Sequence, residues 1–300
     1  MPEGIVMKLT GLSAARVAAA AVLLLGAEAV RAEVNRWESI GPPSVPSITS
    51  SAGILPSVNG VAFGANGTLF VADAAGIYKG SGDGRWVPSL QVPAFFSVPG
   101  TSYIPFLAIS AQTGAPDILL AGCAQGGLYR TTDAGATWSG SLGGAGFLSL
   151  GRGSSSPLVV YASMIQLNQQ PATYRSTDGG VTWTILAALG VSPVRALTVD
   201  PTSSDVVFGF VGASASGLPS GVYRTTDGGA SWSVLAGGLA NDGYTAFAID
   251  PASPATVYAG SSSSGAYRSD DGGAHWVAIN DGLGSLEVRG IAIDSTMSSI

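Results

Sequence analysis

The chain has 300 residues, enough for one large domain or two ordinary ones, and its 46% hydrophobic content suffices for a sizeable core. Only 11% of its residues are charged, Lys8 and Lys79 are its only lysines, and the net charge is -6. The basic stripe that nucleic acid requires is therefore missing.

At the N-terminus, Lys8 and Arg16 precede the apolar run "VAAAAVLLLG", residues 17 to 26, and "AEAVRA" places small residues at Val30 and Ala32. This reads as a signal peptide over 1–32, cleaved after Ala32. The run is about half of the roughly 20 residues that span a bilayer, and no later segment is long enough, so no membrane span is expected in the mature chain. Export to a periplasmic or extracellular location follows, with residues 33–300 as the mature domain.

From Arg36 onward the elements recur. "RWESIG" opens the series as an isolated outer strand. Unit one contributes "VAFG" at 61, "TLFVA" at 68, a degenerate "YKGSGDGRW" from Tyr78 and its strand beginning at Trp86. Unit two contributes "FLAIS" at 106, "ILLAG" at 118 and "YRTTDAGATW" from Tyr129; unit three "FLSLG" at 147, "LVVYAS" at 158 and "YRSTDGGVTW" from Tyr174. Unit four contributes "RALTVD" at 195, "VVFGF" at 206 and "YRTTDGGASW" from Tyr223; unit five "AFAID" at 246, "TVYAG" at 256 and "YRSDDGGAHW" from Tyr267. "RGIAID" at 289 then begins again.

The runs are four to six residues long, rich in β-branched and aromatic residues, and bounded by Gly, Ser, Pro and Asp. Each unit reads as strands a, b and c, an Asp turn, and strand d beginning at the Trp. A period of about 45 to 50 residues is that of a four-stranded blade, which predicts an all-β, β-propeller fold of antiparallel blades. Five blades are complete, and a partial one is shared by the termini. Because that sixth blade has strands a and d but lacks b and c, the chain reads as a fragment about 25 residues short of a six-bladed ring, or more if further blades follow, the alternative being an open or irregular last blade.

In "TTDGGASW" the expected role of Asp227 is to accept hydrogen bonds from backbone N–H groups of a hairpin turn, with Gly228 and Gly229 at φ > 0. Asp133, Asp178 and Asp271 hold the same place, and Trp138, Trp183, Trp232 and Trp276 follow as packing residues. These blocks resemble the Asp-box, or BNR, repeats of sialidases, sortilin-type receptors, xyloglucanase-type glycosidases and photosystem assembly factors. The pattern Ser/Thr-x-Asp-x-Gly-x-Thr/Ser-Trp is met in full at 131–138, 176–183 and 225–232, while the fourth copy departs at His275 and the earliest, at Asp83, departs in length. The resemblance implies a propeller in which the Asp boxes are structural turns away from any active centre.

Chemistry is then expected on the face carrying the d to a and b to c loops. Two b to c loops read as enlarged, residues 163–173 with Gln166, Asn168 and Gln169, and residues 211–221. Arg195 and Arg289 open equivalent a strands, and Asp242 lies between them in the series. A sialidase reading drafts Arg195, Arg289 and Arg152 as a carboxylate clamp, Tyr244 as nucleophile with Glu287, and Asp242 as acid/base; the family's Arg-Ile-Pro motif is absent, since Arg36 precedes Trp37. A xyloglucanase reading nominates Asp73 but finds no second carboxylate. No cofactor and no metal site is expected. The leading expectation is a non-enzymatic binding propeller for a protein or glycan, with a glycoside hydrolase as the alternative; a photosystem-type assembly role rests on the resemblance alone.

Overall fold

The computed structural model describes residues 30–33, 36–39, 58–64, 68–73, 76–80, 86–91, 106–112, 115–123, 126–190, 192–212, 218–235 and 237–293. The expected signal segment lies outside them except for its last residues. Val30–Glu33 (β1) pairs antiparallel with Arg36–Ser39 (β2), so this hairpin straddles the expected cleavage point after Ala32.

Five four-stranded antiparallel sheets follow in chain order, each with its strands in sequence order, and they match the five repeat units. The chain divides into two compact units, Lys8–Gly140 and Ser141–Ile300. The first holds the sheet Val58–Phe63 (β3), Leu69–Asp73 (β4), Gly76–Gly80 (β5) and Trp86–Gln91 (β6). Next come Phe106–Gln112 (β7), Ala115–Cys123 (β8) and Gly127–Thr131 (β9), whose outer strand Ser139–Leu142 (β10) runs across the division.

The second unit holds three blades. Gly146–Arg152 (β11), Val160–Ile165 (β12), Pro171–Ser176 (β13) and Thr184–Leu186 (β14) form the first. Val194–Val199 (β15), Val207–Val211 (β16), Gly221–Thr225 (β17) and Ser233–Leu235 (β18) form the second. Tyr244–Ile249 (β19), Val257–Ser261 (β20), Ala266–Ser269 (β21) and Val277–Ala278 (β22) form the third.

Burial sorts the strands by position. The b strands β12, β16 and β20 are buried nearly throughout, as an apolar run packed on both faces should be. The d strands are largely exposed. Cys123 lies in the core of the first unit with Phe70, Ile77 and Leu119, as its apolar character predicts.

Neighbouring blades of the second unit are stitched along their inner strands. Ser149 Oγ donates to Val194 O at 3.0 Å, and Thr198 Oγ1 to Phe247 O at 3.3 Å. A second stitch uses the basic residue of each c strand. Arg175, Arg224 and Arg268 lie over the rings of their cross-strand partners Tyr161, Phe208 and Tyr258, with the guanidinium carbon 5.6–5.9 Å from the ring centroid. In the first unit Lys79 does the same over Phe70 and donates to Ala134 O at 3.2 Å in the next blade's turn.

The stitch is uneven between blades. Arg175 also pairs with Asp205 of the following blade at 2.7 Å, beside Gly228, whose N–H is bonded to Asp205 O. At the next seam Ala255 stands where Asp205 did, since Gly272 N–H donates to Ala255 O. Among the described residues Arg224 has no carboxylate, and its Nε is buried without a hydrogen bond. Ala255→Asp is expected to supply the missing partner and to stabilise by about 0.5 kcal/mol, because such half-exposed pairs gain little. A thermal melt should rise by about 1–2 °C and lose the gain in molar salt.

Candidate functional site

The four complete acidic turns close in one pattern. In the turn after β17, Thr225 Oγ1 donates to Asp227 Oδ1 at 2.7 Å and accepts the Gly229 N–H at 2.9 Å, while Ser231 gives its N–H to Oδ1 and its hydroxyl to Oδ2. Asp133 and Asp178 repeat this with Thr131 and Thr137, and with Ser176 and Thr182. Asp271 does so with Ser269 and His275, whose Nδ1 takes the hydroxyl's place at 2.6 Å. Both carboxylate oxygens are occupied by the chain itself, so these aspartates act on the turn.

Hydrogen bonds from Thr131 and Thr137 hold the Asp133 carboxyl at about 2, and those from Ser231 and Thr225 hold Asp227 there as well. A folded value below the ordinary 3.8 means the carboxylate stabilises the fold fully above about pH 4, and that contribution fades as pH falls towards about 2. Acid titration followed by circular dichroism should therefore show a transition beginning below pH 4. Asp227→Asn should lie closer to the parent at pH 2.5 than at pH 7.

The Trp positions are less uniform than their spacing. Trp138 Nε1 donates to Ser89 Oγ at 3.1 Å, and that hydroxyl donates on to Gly135 O at 2.6 Å. Trp183, Ser141 and Gly180 repeat the relay at 3.1 and 2.5 Å. At the serine's position the next two blades carry Leu186 and Leu235, which pack towards Gly229 and Gly273. Trp276 turns its N–H to Gly273 O at 2.8 Å, while Trp232 Nε1 is buried with no partner among the described residues.

Strand topology places the b to c and d to a connections at the end of each sheet opposite the acidic turns. There the expected long loop of residues 163–173 is shorter than anticipated, because pairing continues to Ile165 and Pro171. Gln166–Gln170 remain as a tight connection, with Gln166 N–H donating to Gln170 O, Gln169 N–H to Gln166 O, and Gln169 at φ 65. Asn168 caps it by accepting the Gln170 N–H at 3.0 Å, and Leu167 stands 81% exposed. The ends of the 211–221 loop, Val211 and Gly221, pair directly; residues 213–217 lie outside the described residues.

The drafted catalytic residues do not converge. Tyr244 is 3% exposed, packs against Phe210, Phe247 and Tyr267, and donates its hydroxyl to Ala240 O at 3.0 Å. Burial pushes its phenol well above the ordinary range, which corrects the nucleophile reading: this ring belongs to the core. Glu287 receives Arg289 Nε and Nη2 at 2.8 and 2.7 Å, so the carboxylate and one arm of the clamp neutralise each other. Arg152 ends β11 on the acidic-turn side and donates to Pro157 O, whereas Arg195 opens β15 on the other side. A six-residue strand separates such positions by about 20 Å, so the three-arginine clamp is not formed.

Asp242 is also spoken for. Its carboxylate accepts Gly243 N–H, the hydroxyls of Ser261, Ser262 and Ser263, and the Ser263 N–H. Partial burial opposes ionisation, but these donors outweigh it and hold the carboxyl far below its ordinary value. It clasps the loop before β19 to the loop after β20. The serine run 261–264 was the sequence signal for this clasp. Asn280, which accepts Ala266 N–H and donates to Ser264 O, had none. Asp73 ends β4 at the loop end of its sheet, opposite Val58 in register. Arg195 alone among the drafted cations is exposed without an ion pair among the described residues, beside Ala196 at φ 52 in a β-bulge.

No family model matches the chain, and no curated protein matches it. Solved structures do. A GH74 xyloglucanase from Xanthomonas campestris is similar at 16% identity and a TM-score of 0.56, over 75% of this chain and 38% of that one. YCF48 from Cyanidioschyzon merolae is similar at 16% identity and a TM-score of 0.58, over 83% and 76%. A YCF48 bound to D1 peptide is similar at 17% identity and a TM-score of 0.56, over 86% and 77%.

The chain is a β-propeller. This propeller spans less than two fifths of the length of the xyloglucanase it matches. Among its described residues no helix is long and apolar enough to cross a membrane.

Proposed function

We propose that this is an exported, non-enzymatic propeller that binds a protein or glycan partner on the loop face opposite its acidic turns, which serve as Asp boxes. One observation carries the reading: on that face of the second unit the acid/base and nucleophile candidates are consumed by the fold. Asp242 is saturated by donors, Glu287 is paired with Arg289 and Tyr244 is buried. What remains available is a recognition surface, with the exposed Asn168, Gln169 and Leu167 on one loop and Arg195 on the inner strand of the next blade. The likeness to a propeller that has been seen with a bound peptide supports a polypeptide partner over a glycan.

A partner captured from the exporting cell's envelope and identified by mass spectrometry provides the test. Arg195→Ala and a scrambled 166–170 segment should each weaken capture by at least tenfold while the melting temperature stays within about 2 °C, since neither site is a core position. Chromophore release from a sialoside and glucan panel should be absent. Release that disappears in Asp73→Asn would replace this reading with the glycoside-hydrolase one.

A further inference from the structure

The three equivalent arginines of the second unit differ in what answers their charge. Arg175 Nη2 meets Asp205 Oδ1 of the next blade at 2.7 Å. Arg268 takes Asp270 of its own turn instead, with Nε at 2.9 Å and Nη2 at 2.8 Å from one oxygen. At Arg224 both sources are replaced. Ala255 holds the place of Asp205, and in "RTTD" Thr226 holds the place that Asp270 takes in "RSDD". Arg224 therefore has no hydrogen bond or ion pair among the described residues. The seam it occupies joins blade four, β15 to β18, to blade five, β19 to β22, and every strand of both is described.

The guanidinium is held in the same way as its paired neighbour. It lies 5.6 Å from the ring centroid of the buried Phe208, as Arg175 lies 5.8 Å from that of Tyr161. A β-carbon at Gly272 would meet Arg224 Nη1 at 3.3 Å, and one at Gly228 would meet Arg175 Nη1 at 3.2 Å and Asp205 Oδ1 at 2.9 Å. Both side chains are thus posed between a ring and a turn glycine. Nε is buried and unbonded in Arg175 and Arg224 alike, so what separates the two is the carboxylate on the terminal nitrogens. A planar cation fixed before its ligand arrives loses little freedom on binding and suits an oxyanion. Thr226 and Ala255 on either side are exposed, which leaves the approach open to solvent.

The geometry points to Arg224 as a docking point for an Asp or Glu side chain of a partner polypeptide, on the acidic-turn face and separate from the loop face. The ligand class follows from the two solutions the chain itself uses, since Asp205 and Asp270 each present one side-chain carboxylate from a connecting loop. Local charge narrows it further. Asp227 follows Arg224 in the same turn and Asp271 adjoins Gly272, and hydrogen bonds keep both ionised. A monoanion is admitted there, whereas a dianionic phosphate is repelled more strongly. The small, uncharged Ala255 and Thr226 leave room for the backbone that carries the incoming acid.

The test is a titration of the full chain followed in proton–nitrogen correlation spectra of the arginine side chains, with the buried Arg224 Nε–H signal assigned by its loss in Arg224→Lys. The probe is the capped tetrapeptide Ser-Ser-Asp-Val, the segment 203–206 that brings Asp205 to Arg175. A saturable shift is expected. Affinity should fall by about tenfold or more with Ser-Ser-Asn-Val, which lacks the charge, and in Ala255→Asp, which supplies an internal carboxylate. The first comparison uses the unaltered chain, so a poorly folded variant does not decide the matter. Arg195→Ala should leave the affinity within about twofold, so failure of the loop face as a partner site and failure of this one are distinguishable. Absence of a saturable shift, or an equal one with Ser-Ser-Asn-Val, would overturn the inference. So would an unchanged shift in folded Ala255→Asp. Equal affinity for acetate would replace the polypeptide with a free carboxylate, and tighter binding of inorganic phosphate would replace it with a phosphate ligand.

Discussion

Gly238→Ala should destabilise the protein by about 3 kcal/mol, lowering the melting temperature by about 6–12 °C. Two effects add at this position. Gly238 has φ 89, a conformation that costs an L residue energy in any surroundings. A β-carbon there would also come within 2.3 Å of the Trp276 carbonyl oxygen, and one at Gly237 within 2.2 Å of the Ala274 carbonyl oxygen. These are backbone atoms of the next blade's acidic turn, held in place by Trp276 N–H donating to Gly237 O at 2.7 Å. No side-chain rotation relieves the overlap. Gly282→Ala provides the control, because φ is 81 there but nothing lies within 4 Å of the added carbon. It should cost about 1 kcal/mol, the conformational part alone. Equal losses for the two variants in urea unfolding would show that the close approach contributes nothing.

Trp276→Ala is expected to cost about 4 kcal/mol, or about 8–16 °C in the melt. The ring is 4% exposed and packs in one cluster with Phe208, Tyr244, Phe247 and Tyr267, so its removal leaves a cavity shared by two blades. A subtler comparison separates packing from hydrogen bonding. Trp276→Phe deprives Gly273 O of its indole donor and should cost about 1 kcal/mol beyond the lost area. Trp232→Phe removes a buried N–H that has no partner among the described residues, so the smaller ring should be tolerated better there. If the two Phe variants melt alike, the Trp276 indole hydrogen bond to Gly273 O carries no energetic weight.

These positions show where reading the chain by its repeat succeeds and where it stops. Strand identity was legible because the signal is local: short β-branched runs between turn residues, marked by Trp, map onto all five sheets. The acidic turn was legible too, because its partners lie within four residues of the aspartate. The scattering of the proposed arginine clamp was open to the same reading, since Arg152 closes "FLSLGR" while Arg195 opens "RALTVD". Assigning both to one site overlooked strand direction. The sixth inner strand was legible as a pattern, but its pairing was not. A strand is a relation to a neighbour, and among the described residues the 288–293 segment touches blade five through Val288 without forming a ladder.

By itself the sequence determined the all-β class, the unit length, the order of the strands in each unit and that Asp133, Asp178, Asp227 and Asp271 sit in equivalent turns. Each of these follows from hydrophobic alternation or hydrogen bonds reached within a few residues. Only the tertiary structure decided what happens at the seams: that Asp205 completes Arg175 while Ala255 leaves Arg224 without a carboxylate among the described residues, and that Asp242 is spent on Ser261 to Ser263. It also decided that Gly237 and Gly238 lie against a neighbouring backbone. The physical reason is that a seam joins residues roughly 20 to 50 positions apart, and equivalent residues in successive repeats meet different partners there. Local propensity is the same in every unit, whereas close approach, desolvation and charge pairing depend on the residue that arrives from the next one.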